Sequence, residues 1–308
     1  MQSITAASPV NMAATENAQA TALPGDVPPR TQHHPLPARE TCAYTASYCE
    51  ENIYLLIRQL AERFKLELPS LFAVFISNRA RATPLFQQRA GRGEHKLCLW
   101  DYHVLLLCRL EAAAGDPAGI AVAGAALAAG QQAQSTLVLD LDTLLPFPCP
   151  LPVYATEALQ AGCISLPPEL HRVYRVVPAR LLLRHFASDR RHMLDEGGSW
   201  LASPPPYPPI VTPYGTANSL HHYLDMPEAE DAVDCATESA QLLAEADAHG
   251  PTVEWQQQQQ QQQQQHKDEV CDLQYGVCMT ERCFLEVFGV CHALGGTASR
   301  PPPVPQCP

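Results

Sequence analysis

The sequence predicts an α+β fold in which helices pack against a mostly antiparallel sheet. Three observations carry that prediction. Ile53, Leu56, Ile57, Leu60 and Phe64 recur at helical spacing, with Arg58, Glu62 and Arg63 on the other side, the pattern of an amphipathic helix. Phe72–Ile76, Leu97–Leu107 and Thr136–Leu141 run apolar without alternation, as strands covered on both faces do. No internal repeat suggests an array of small units in place of one core.

Taken in order, the helix opens at Cys49 and stops before Pro69, which has no N–H to continue it. Burial of its five apolar side chains contributes ~1.5–3 kcal/mol each before entropy is subtracted. The helix therefore belongs to the core and holds its first residue rigidly. The three apolar runs follow as strands, the second containing Trp100-Asp101-Tyr102-His103-Val104 and the third Asp140-Leu141-Asp142. Arg175–Val177 adds a short strand, and Pro178 opens a helix reaching Phe186, since proline suits a first helical position. Val277, Phe284, Val287 and Phe288 allow one last strand and helix after Gly276.

The 308-residue chain is 46% hydrophobic, enough for a full core, but its 29 prolines and the run Gln256–Gln265 place much of the length outside that core. One folded domain is expected over residues 39–226, with an Ala/Gly-rich loop insertion at 110–135; lengthening a loop costs little free energy. Residues 1–38 read as a disordered leader and 227–271 as an acidic and glutamine-rich disordered insertion. The domain resumes over 272–295, and 296–308 form a proline-rich, solvated tail.

A net charge of −12 and only 20 scattered Lys and Arg residues exclude nonspecific binding to nucleic acid or an anionic membrane surface, which needs clustered positive charge. The longest weakly apolar stretch, Gly119–Gly130, is far shorter than the ~20 residues of a membrane helix. Twelve cysteines raise the idea of a secreted disulfide framework, but the first residues lack a basic region, an apolar core and a cleavage site. The expectation is a soluble monomer of the cytosol and nucleus.

Cys49, His103 and Asp140 supply a nucleophile, a base and an orienting carboxylate. A cysteine alone is weak at neutral pH; a neighbouring imidazole steadied by a carboxylate makes it attack carbonyl carbon. Cys49 stands at a helix start, where the dipole favours a thiolate and backbone N–H groups face a developing oxyanion. Glu50 and Glu51 oppose that thiolate, so the imidazolium must supply most of its stabilisation. Asp140 sits among Leu and Val and needs a partner there; His103 provides one if the two strands pair antiparallel. Asp142 shares its face by period two, but is assigned to cap the turn into Leu144. Phe186–Met193 forms a second polar cluster. Cys271, Cys278, Cys283, Cys291 and His292 crowd the C-terminal region without C-x-x-C or H-x-x-x-H spacing, so no structural metal is expected.

Several motifs together resemble the protein N-terminal glutamine amidohydrolases. They are Cys42-Ala43-Tyr44 with Tyr48–Ile53, Ala73–Asn78, Trp100–Val104, Asp140–Thr143 with Leu145–Cys149, Tyr174–Val176, Phe186–Met193, Trp200 leading to Pro204–Pro208, and Gly276–Gly289. The chain departs from the family pattern in its two insertions and at Arg191, where a small polar residue is usual. The resemblance implies a papain-like or transglutaminase-like sandwich with an N-terminal catalytic helix, and a triad of Cys49, His103 and Asp140. It implies deamidation of N-terminal glutamine in proteins and peptides to glutamate, with no metal or organic cofactor. The product is one that an arginyl-transferase extends to mark a protein for degradation, which gives a functional link to that enzyme. Selectivity for a terminus needs a group to pair the substrate α-ammonium, with Glu50, Asp189 or backbone carbonyls as candidates. A papain-type peptidase and a non-catalytic binder of N-terminal peptides are the rival readings.

Overall fold

The computed structural model describes residues 36–63, 68–110, 135–248 and 273–290. Helix α1 (Cys49–Arg63) forms over the expected stretch, with Ile53, Leu56, Ile57 and Leu60 buried; Phe64 lies outside the described residues. The chain continues through β1 (Leu71–Ser77), β2 (Thr83–Leu85), β3 (Cys98–Trp100), β4 (His103–Leu110), β5 (Ser135–Leu139) and β6 (Cys149–Pro150). Then come α2 (Leu151–Glu157), β7 (Val173–Pro178), α3 (Ala179–His185), α4 (Leu220–Leu224), α5 (Ala236–Ala248), β8 (Val277–Thr280) and α6 (Glu281–Val287). Six strands form one sheet in the order β6-β5-β4-β1-β7-β8, every pairing antiparallel, while β2 and β3 pair separately.

The apolar runs now have a cause. All seven residues of the central strand β1 are buried. Leu71, Ala73 and Phe75 enter one core with side chains of α1, α3 and α4, and Phe72, Val74 and Ile76 enter another with α2, α5 and α6. Successive side chains point to opposite faces, so a strand covered on both sides is apolar along its length except at its end, where the buried Ser77 hydroxyl donates to the Asp101 carbonyl at 2.6 Å. Ring stacking ties each layer to its helices: Phe75 on Tyr223 at 5.0 Å, and Tyr174 on Phe284 at 4.4 Å. Gly276 enters β8 with φ +87°, and a Cβ there would lie 2.3 Å from the Val176 carbonyl oxygen, so only glycine fits.

The structure corrects four expectations. The stretch Leu97–Leu107 is two strands in different sheets, because the Asp101 carboxylate accepts the Tyr102 N–H at 2.9 Å and removes that donor from the ladder. The strand from Thr136 stops at Leu139 because Asp140 turns the chain, accepting the Asp142 N–H at 2.9 Å. The acidic stretch from 227 is ordered as far as 248: Val233 pairs beside Met279, and α5 buries Ser239, Leu243 and Ala246. Its acidic outer face hid a helical stripe of small and apolar residues. Leu36, placed in the expected disordered leader over 1–38, is instead buried in the core. Residues 1–35, the loop 111–134, the glutamine run and the proline-rich tail lie outside the described residues. No described helix is long and apolar enough to cross a membrane.

Candidate active site

Three clamps hold the start of α1. Asn52 both donates to the Thr45 carbonyl and accepts the Thr45 N–H, each at 2.8 Å. The buried Tyr48 donates its hydroxyl to the Ala202 carbonyl at 3.2 Å. Glu51, fully buried, takes a bidentate ion pair from Arg190 at 2.9 and 2.8 Å, the geometry that suits a guanidinium fork. Cys49 between them is half-buried. Its thiol donates a long hydrogen bond to Glu50 Oε2 at 3.7 Å.

Val104 follows His103, the first residue of β4. The β4–β5 register sets Leu106 opposite Leu139, so Asp140, one residue past β5, comes within reach of the His103 ring. His103 Nε2 lies 3.0 Å from Asp140 Oδ1, and both side chains are sealed from solvent. Oδ1 also accepts the Asp142 N–H, and Oδ2 accepts the Tyr154 hydroxyl at 2.8 Å, so the carboxylate is fixed at both oxygens. The Trp100 indole stacks on the imidazole at 5.2 Å between centroids. Burial lowers the His103 pKa, but the Asp140 charge and hydrogen bond outweigh it and hold the ring above its ordinary value. Asp140 moves the opposite way: burial raises it, yet His103, the Asp142 N–H and the Tyr154 hydroxyl bring it below the usual carboxylate range. His103 Nδ1 is buried without a hydrogen-bond partner, leaving one ring nitrogen committed and one available.

The helix start does not by itself stabilise a thiolate, as the sequence led us to expect. Burial pushes the Cys49 thiol well above its ordinary pKa, the Glu50 and Asp142 charges add to that, and the Val104 N–H opposes them. Cys49 is therefore a thiol that needs a base for its proton. Asp142 does not cap the turn either. Its carboxylate accepts the Tyr44 hydroxyl at 2.6 Å, and the Thr143 hydroxyl accepts the Leu145 N–H at 3.2 Å.

His103, Asp140 and Asp142 each offer an atom within 4.8 Å of the others, a spacing that suits a cation. The donors present fit an ion poorly, because His103 Nε2 and both Asp140 oxygens are already engaged and Asp142 holds Tyr44. Among the C-terminal cysteines, Cys278 and Cys283 are buried, and Cys283 lies 3.1 Å from the Ser239 hydroxyl; Cys271, Cys291 and His292 lie outside the described residues.

Comparison with known proteins bears on what this arrangement serves. A model described as "N-terminal glutamine amidase" matches residues 44–260, well over half the chain. The chain belongs to the N-terminal glutamine amidase family. It is 41% identical to the protein N-terminal glutamine amidohydrolase of Arabidopsis thaliana over 189 residues, which cover 61% of this chain and 76% of the relative. Its identity to the Drosophila melanogaster protein of the same name is 40% over 176 residues, covering 57% of this chain and 75% of that protein.

The polar residues of this amidase-family chain divide clearly. Glu50 faces the cysteine: Oε2 accepts the Tyr102 hydroxyl at 3.0 Å, and His192 Nε2 stands 3.5 Å from Oε1. Asp189 is engaged elsewhere, its oxygens accepting from Arg191 and from Asn218 at 3.0 Å. The cluster Phe186–Met193 does reach the site, through Arg190 on Glu51 and His192 on Glu50. Sequence reasoning missed Tyr154, whose place in a short helix carries no signal, and Arg190, whose left-handed backbone (φ 64°) gives no local sign of an ion pair 139 residues away. Tyr102 lies inside the Trp100–Val104 motif, in which the sequence singled out only His103.

Proposed function

We propose that this chain hydrolyses the side-chain carboxamide of an N-terminal glutamine, in proteins and peptides, to glutamate and ammonia. The Cys49 sulfur attacks the carboxamide carbon as His103 Nδ1 takes the thiol proton. The tetrahedral intermediate collapses by breaking its C–N bond, and the imidazolium returns the proton to the departing ammonia. Water then attacks the thioester, His103 takes its proton, the C–S bond breaks, and the sulfur regains that proton. Asp140 holds the ring orientation throughout. This reading includes a papain-like sandwich, a monomer of the cytosol and nucleus, and a product that feeds arginylation and degradation.

One observation carries the proposal: in a chain of this family, His103 has Nε2 held by Asp140 and Nδ1 buried and unengaged. Asparagine, one methylene shorter, displaces the carboxamide by ~1 Å, an error that costs about 10²-fold in rate. Peptides beginning with Gln, Asn and acetyl-Gln test the reading when ammonia and peptide mass are followed for wild type and Cys49→Ala. Ammonia from the free Gln peptide alone, lost in Cys49→Ala, supports it. Chain cleavage would assign a peptidase instead, and binding without turnover a non-catalytic module.

A further inference from the structure

We infer that Glu50 receives the α-ammonium of the substrate and is the residue that confines the reaction to a free N-terminus. The inference rests on the deamidation reading and names the part of the site that recognises the end of the chain.

Glu50 is 1% exposed and lies on the first turn of α1, next to the nucleophile. Its two oxygens differ. Oε2 is occupied by the Tyr102 hydroxyl and the Cys49 thiol. Oε1 is buried without a hydrogen bond, with His192 Nε2 at the longer ion-pair distance of 3.5 Å. Among the described residues, it is the buried carboxylate oxygen left in that state. Every neighbouring carboxylate is engaged: Glu51 by Arg190, Asp140 by His103 and Tyr154, Asp142 by Tyr44, Asp189 by Arg191 and Asn218. A buried acceptor without a donor is costly, and a cationic ligand group removes that cost.

The dimensions agree. In glutamine the carboxamide carbon and the α-nitrogen are separated by four bonds, roughly 5 Å when extended. A sulfur ~3 Å from that carbon and an ammonium ~2.8 Å from Oε1 are compatible with a carboxylate whose other oxygen, Oε2, lies 3.7 Å from Sγ. Binding there has a second effect. The Glu50 charge is among the influences that keep the Cys49 thiol protonated, after burial, and an ammonium seated on Glu50 offsets it. A substrate with a free terminus thereby eases ionisation of the sulfur that attacks it.

The test compares a Gln-initiated peptide with the same peptide carrying hydrogen in place of its α-amino group. Wild type is expected to favour the amine-bearing peptide by roughly 10- to 100-fold in kcat/KM, the scale of a charge-assisted hydrogen bond. Glu50→Gln should bring the two within about threefold of each other, mainly by loss on the amine-bearing peptide. Glu50→Asp, which keeps the charge on a shorter arm, should give an intermediate preference. A preference left at the wild-type value in both variants overturns the inference, as does an equal loss on both peptides. If Glu50→Gln fails to fold by circular dichroism, Glu50→Asp decides alone by the same criterion. Wild type that releases no ammonia from the Gln peptide would instead overturn the deamidation reading itself.

Discussion

His103 and Asp140 meet through Nε2 and Oδ1 at 3.0 Å, both fully buried, and Asp140 keeps the imidazole pKa above its ordinary value. In the proposed mechanism the neutral ring is the form that accepts the thiol proton. Activity should therefore fall as the pH drops through that raised pKa. Asp140→Asn removes the charge, so the acid limb of the kcat/KM profile should move to lower pH, while the plateau falls by about 10²–10⁴-fold as the ring loses its orientation. A pH profile of ammonia release from a Gln peptide reads both effects, and an acid limb that stays in place contradicts the role given to Asp140.

Tyr154 acts through Asp140. Its hydroxyl holds Oδ2 at 2.8 Å in a fully buried setting, so Tyr154→Phe leaves that oxygen short of a donor at a cost of about 1–3 kcal/mol. Urea denaturation should show the loss. The carboxylate, now held at one oxygen, should position His103 less well, with kcat/KM down about tenfold.

Adjacent arginines should behave oppositely. Arg190 pairs with the buried Glu51 and donates to the Tyr207 carbonyl at 3.0 Å, whereas Arg191 pairs with Asp189 on the surface. Arg190→Ala leaves a buried carboxylate uncompensated, a change that destabilises by about 3–5 kcal/mol, and it loosens the helix start that carries Cys49. Arg191→Ala should leave the denaturation midpoint where it is. Equal effects of the two would contradict the clamp.

Chelation distinguishes the two uses of His103, Asp140 and Asp142. Since His103 Nε2, both Asp140 oxygens and one Asp142 oxygen are taken up by protein partners, prolonged dialysis against EDTA should leave ammonia release unchanged. Loss of activity restored by a divalent ion would show that the cluster holds a metal.

Much of this was legible in the chain because the signals are local. The period of Ile53, Leu56, Ile57 and Leu60 marked α1, and the unbroken apolar run around Val74 marked a strand with two covered faces. Asp140 stood out as a carboxylate among aliphatic residues, and its partner was readable once β4 and β5 were taken as neighbours. The break at Asp101 was not readable, because a side chain accepting the next N–H leaves hydropathy unaltered. Helix α5 was hidden by its acidic outer face.

The order and residue types of the motifs, and hence the family, follow from the sequence alone, as does the choice of Cys49, His103 and Asp140. Which atoms of those residues are engaged, and which are left open, is a property of the tertiary structure. Glu50 and Glu51 are neighbours of the same type, yet Glu51 is closed by Arg190 from 139 residues away, while Glu50 sets one oxygen against the sulfur and keeps the other without a hydrogen bond. Proton affinity and hydrogen-bond capacity depend on what surrounds a group in space, and chain separation carries no record of it.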